Sequence, residues 1–240
     1  MVKELVDKKM NNKKMKLHLG CGMRYLEGYT NVDYPVSNQT VQINLKADEY
    51  RDISTLVYPG CSVEEIRLHH VFEHFPRPVA LALLCRWRDW LRVGGLLRIE
   101  TPDFRSSIIS CLSPFISFYN KQQIVRHIFG SHEASWAAHY DGWYKDKFHY
   151  VLKKIGFDNI KFVKNRYGYL RNIEVFAYKN ECEFDAARYR KIVKQILTWS
   201  LVRDGYRKNI EKSESDMLDV WMKAWESAYK RIEINYEFKR

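Results

Sequence analysis

Near its start the chain reads His18-Leu19-Gly20-Cys21-Gly22, and eleven residues after Gly22 stands Asp33. Glycines that follow a strand let the backbone approach a ligand closely, and an acid closing the next strand can accept hydroxyl hydrogens from a ribose. A nucleoside fits that pairing. Position 25 is Tyr, where a dinucleotide fingerprint would carry its third glycine, so no pyrophosphate cradle is completed. Further on, His70, Glu73 and His74 fall within six residues, Asp103 follows a strand-like run, and His139 precedes a helix-like one. Imidazoles and carboxylates can take the proton of a weak hydroxyl nucleophile. Glu73 reads as a residue that caps or braces its loop. No tight ligand pair typical of zinc occurs among these residues, so no metal is expected. His127 and His132 read as surface or packing residues.

The elements that must hold these groups alternate. Residues 16–19 form a short strand breaking at the glycines, 29–32 a second ending at Asp33, and 63–70 another. Residues 78–91 pattern as a helix opened by Pro78 and ended by Gly94-Gly95, and 96–101 as a strand closed by Pro102. Such alternation predicts a parallel, doubly wound sheet. Residues 104–145, rich in aromatics, Ser and His, break the rhythm and read as an insertion over one sheet edge. A helix over 145–157 ends at Gly156, and 159–165 with 171–179 form an antiparallel hairpin turning at Gly168. The prediction is an α/β, Rossmann-like, mostly parallel seven-stranded sheet ending in that hairpin, occupying residues 1–180, with a helical extension over 181–240. In the extension Leu218, Trp221, Met222, Trp225, Tyr229 and Ile232 recur at steps of three and four. That stripe must pack, on its own domain, over the acceptor cleft or in a homo-oligomer.

Bulk properties narrow the classes. The net charge of +11 is spread along 240 residues with no dense basic arm. Such a field suits acidic partners, whereas the absence of a basic module or aromatic strand motif speaks against nucleic acid. Five cysteines at wide spacings without a CxxC pair read as free thiols. With no apolar signal core and no run of about 18 apolar residues, a soluble cytoplasmic protein without a membrane span is expected.

The stretches LHLGCG (17–22), EGYTNVDY (27–34), SVEEIRLHHVFEHF (62–75) and WLRVGGLLRIETPDF (90–104) together resemble the class I S-adenosylmethionine-dependent methyltransferases associated with polysaccharide biosynthesis. HYDGW (139–143) before LKKIGF (152–157) is a weaker echo. The resemblance covers about residues 16–180 and implies S-adenosyl-L-methionine (SAM) as cofactor. By position it puts Gly20, Cys21 and Gly22 against the methionine portion, Asp33 on the ribose, and the backbone of His70 at the methionine end. Asp52 is the counterpart of the acid that meets adenine, with Asn44-Leu45 and Asp48 as rival positions. The acceptor it implies is a sugar, nucleotide-sugar or glycan hydroxyl, with His74, Asp103 and His139 as candidates for the base that deprotonates it. Trp136, Tyr140 and Trp143 are rings that could stack on a sugar or pack the insertion. An RNA methyltransferase and a non-catalytic scaffold with the same fold are the alternatives.

Overall fold

The computed structural model describes residues 15–35, 37, 41, 44–203 and 211–237, apart from the side chains of 231–237. Seven strands form one sheet: β1 (Met15–Leu19), β2 (Thr30–Asp33), β3 (Glu49–Tyr50), β4 (Val63–His69), β5 (Leu91–Pro102), β6 (Phe157–Tyr167) and β7 (Leu170–Lys179). Their order is β3-β2-β1-β4-β5-β7-β6, parallel from β3 to β5, with β7 antiparallel to β5 and to β6. This is the Rossmann-like sheet with a terminal hairpin that the alternation predicts. Gly168, at φ +58, makes the hairpin turn, and Gly156, at φ +98, closes the helix before it in the left-handed region where a side chain is strained.

The strands alternate in chemistry. Leu17, Leu19, Ile66, Leu68, Leu97 and Ile99 are fully buried on one face, while His18, Arg67, Arg98 and Phe176 form a cross-strand row on the other. Helices α1 (Arg77–Trp90), α4 (Lys145–Ile155), α5 (Ala186–Thr198) and α6 (Lys212–Glu237) join the apolar face in one core. The connection from β3 to β4 supplies only a 3₁₀ turn, Ile53–Thr55, and α6 packs against that turn and along α1. Its stripe of Leu218, Met222, Trp225 and Tyr229 is thereby buried within its own chain. The side chain of Ile232, the last member of the predicted stripe, lies outside the described residues.

Two boundaries differ from expectation. Helix α1 ends at Trp90, before the glycine pair, because Leu91 turns directly into β5 and the Lys179 ammonium donates to the carbonyl of Leu91 at 2.6 Å. Gly94-Gly95 instead lie in a register shift of β5, where Glu65 pairs with Leu96 after Val63 has paired with Leu91. The insertion is itself helical, with α2 (Phe104–Leu112), α3 (Phe118–Phe129) and a 3₁₀ turn at Ser135–Ala137. None of its buried residues joins the main core before Trp143.

Candidate functional site

A cleft of about 1080 Å³ opens at the carboxyl ends of β1, β2 and β4, where the strand order reverses between β1 and β4. That is where open α/β sheets place ligands, and the volume holds a nucleoside-sized cofactor with an acceptor beside it. Gly20, Cys21, Gly22, Asp33, Asp52, His70, His74 and His139, eight of the nine residues singled out above, line it.

At the β1 turn, Gly20 and Gly22 have φ of +70 and +53. A Cβ on Gly20 would stand 2.2 Å from Val71 Cγ2, so the glycine is required by both conformation and space. The amides of Gly20 and Cys21 donate to the Val32 carbonyl, tying this turn to the end of β2. Asp33 follows, its carboxylate accepting from the Gly22 amide at 2.6 Å and the Tyr34 amide at 2.7 Å. Burial and the neighbouring Asp33 charge push the Cys21 thiol up to about 12, so it stays neutral and serves as packing.

Among the rival adenine positions, Asp52 lines the cleft together with Ile53 and Ser54, and its side chain caps the 3₁₀ turn by accepting from Ser54 at 2.8 Å. Asp48 faces elsewhere. It accepts from the Asn31 amide and from the Tyr25 hydroxyl, bracing β2, and like Asn44 and Leu45 it is not part of the cleft lining.

At the far side, β4 ends in His69 and then His70, a non-glycine residue at φ +54. The His70 amide donates to the Glu100 carbonyl, and its Nδ1 lies 3.2 Å from Glu73 Oε1. Burial pushes His70 down, but the hydrogen bond and charge of Glu73, with the charge of Glu100, hold it above its ordinary value. Burial likewise pushes Glu100 up, and His69, His70 and Asn165 outweigh it to leave Glu100 at about 2. Glu73 is 2% exposed, with Oε2 lacking a hydrogen-bond partner among the described residues. His74 Nδ1 lies 3.2 Å from the Ala138 carbonyl, His139 Nδ1 lies 3.2 Å from that of Ile128, and the two rings meet edge to face at 4.6 Å. A bond from the Tyr140 amide to the Glu73 carbonyl holds the insertion against this loop.

Asp103 is the exception. It is 3% exposed, it caps α2 by accepting from the Ser106 amide and hydroxyl, and it is absent from the cleft lining, so it has the geometry of a helix cap. Of the three aromatic candidates, Trp136 lines the cleft, Trp143 is core beside Phe72 and Phe148, and Tyr140 is half-exposed outside the lining. Sequence reasoning missed His69 and His127, both in the cleft wall. The alternation of β4 could have flagged His69 as lying on the polar face; His127 depends on a bond from α3 to Asn172 of β7 at 2.8 Å, which no local pattern reveals. Arg24 and Arg126 bring positive charge to the cleft lining.

No protein-family model and no curated protein matches the chain. Similar solved structures include SAM-dependent methyltransferases. One from Archaeoglobus fulgidus matches with a TM-score of 0.45 at 14% identity, over 74% of this chain and 93% of that one. Phosphoethanolamine N-methyltransferase 2 of Haemonchus contortus, solved in complex with SAM, matches at 0.45 and 13%, over 75% of this chain and 52% of that one. The chain thus spans about half of that protein's length. The complex between the Haloferax volcanii Trm112 methyltransferase activator and a methyltransferase matches at 0.48 and 12%, over 72% and 85%.

Proposed function

We propose that this protein is a SAM-dependent O-methyltransferase acting on a hydroxyl of a sugar, nucleotide-sugar or glycan. The observation that carries the reading is the cleft at the switch point, with the Gly20–Gly22 turn and Asp33 on one wall and the His70–His74–His139 group on the other. The residues fit the cofactor: Asp33 closes β2 beside the glycine turn, where such sheets hold a ribose, Asp52, Ile53 and Ser54 line the adenine end, and Gly20, Cys21 and Gly22 line the methionine end. When bound, the cofactor supplies an electrophilic methyl group on a sulfonium. The chain's task is to align the acceptor oxygen and assist the loss of its proton. His74 and His139 are the groups that hold that hydroxyl, with Glu73 behind them, and Asp103 is left to its capping role. Trp136 offers a face for a sugar ring, and Arg24 with Arg126 suits an acceptor bearing phosphate.

The test is transfer of a labelled methyl group from SAM to a panel of nucleotide sugars and glycans. Full-length protein should label at least one, and His74→Ala or His139→Ala should lower its turnover about 10²–10⁴-fold while SAM affinity is kept. Full turnover in both variants would remove the two histidines from the reaction.

A further inference from the structure

Two groups of ligand-type side chains meet in the cleft wall, and they differ in what their atoms are already doing. In the first, His69, His70 and Glu100, both carboxylate oxygens are engaged: Oε2 by His69 at 2.9 Å and Asn165 at 3.1 Å, Oε1 by Asn172 at 3.1 Å with His70 at 3.8 Å. That group is satisfied by its own hydrogen bonds. In the second, Glu73, His74 and His139 each offer one ligand atom, all within 4.8 Å of one another.

Each imidazole of the second group gives Nδ1–H to a main-chain carbonyl, Ala138 for His74 and Ile128 for His139. That bond fixes the tautomer and leaves Nε2 with its lone pair, the arrangement that metal-ligating histidines adopt. Glu73 repeats the theme. Its Oε1 is held by His70, and its Oε2 is buried with no hydrogen-bond partner among the described residues. A buried carboxylate oxygen without a hydrogen bond costs free energy, and a cation held between it and the two imidazoles would supply the missing partner. Two imidazoles and a carboxylate select a first-row divalent cation of borderline softness, such as Zn²⁺, over Mg²⁺ or Ca²⁺.

From this geometry we infer that Glu73, His74 and His139 form a divalent transition-metal site in the wall of the cleft, with His70 as the residue that positions the Glu73 carboxylate. The absence of a tight sequence pair hid it, because His139 comes from the insertion, 65 residues beyond His74. The inference deepens the proposed function. A cation here lowers the pKa of a bound hydroxyl, so the acceptor's proton passes to solvent and its oxygen is held as the nucleophile by the cation, without a free imidazole as base.

The experiment uses the full chain stripped with EDTA and titrated with Co²⁺, followed by visible absorption and competition with Zn²⁺. The expected result is one Co²⁺ per chain, displaced by Zn²⁺, with affinity lowered about 100-fold or more in His74→Ala and in His139→Ala. His70→Ala should lower it about 10–100-fold by releasing Glu73. Both ligand variants are checked for wild-type melting in EDTA, and because Glu73 is buried, Glu73→Gln is read only alongside them. No stoichiometric uptake by the wild type, or equal affinity in both histidine variants, would overturn the site. SAM titration in EDTA separates the two readings: SAM binding without Co²⁺ uptake sinks the metal site alone, and Co²⁺ uptake without SAM binding sinks the cofactor reading alone.

Discussion

The helix α6 and the insertion α2–α3 are both rich in large apolar residues and meet opposite fates. In α6, Leu218, Met222, Trp225 and Tyr229 are 7%, 4%, 2% and 6% exposed; in the insertion, Leu112, Phe115, Phe118 and Tyr119 are 78%, 96%, 77% and 75% exposed. The difference follows from what each packs on. A stripe repeating at three and four residues meets α1 along its length, whereas the insertion is held at its base, by Asp103, by the bond of Tyr140 to Glu73 and by that of His127 to Asn172. The first region is scaffold. The second brings Arg126, His127, Trp136 and His139 to the cleft while leaving a bare apolar surface outside it. A patch of that kind marks an interaction surface more often than a core.

Substitutions sharpen this contrast. Trp225→Ala should have the largest effect on stability, about 3–5 kcal/mol in denaturant or thermal unfolding, since it opens a cavity between α6 and α1. SAM affinity below the melt should be unchanged. An unaltered melting curve would show that α6 is not part of the core. At the small end, Phe115→Ser with Phe118→Ser should move stability by less than about 0.5 kcal/mol, because both rings are in water already. A loss comparable to that of Trp225→Ala would mean that the insertion is packed against something the contrast overlooks.

The same contrast explains what was legible in the sequence. The strands other than β3, the hairpin, the Gly156 cap and the α6 stripe rest on local periodicity and on glycines at positive φ, and these can be read from the chain alone; the strand order comes from pairings distant in sequence. Asp33 was legible because it closes a strand next to the glycine turn. Asp103 also follows a strand, but Ser106 three residues later engages both of its oxygens, a capping pattern that competes with any role in the cleft. Trp143 and Trp136 looked alike, and only the packing of Phe72 and Phe148 around one of them separates core from cleft. The tail stripe required burial without saying against what; α1 and the 3₁₀ turn after β3 supply it, so the stripe itself gives no reason to invoke a second copy.

The most direct test of the central claim is calorimetric titration of the full-length protein and of Asp33→Ala with SAM. The account predicts one site per chain in the wild type and binding weakened by about 1–3 kcal/mol in the variant, which loses a charged acceptor for the ribose and the anchor of the Gly22 amide. Wild-type protein that binds no SAM, or a variant that binds it as tightly as the wild type, would contradict it.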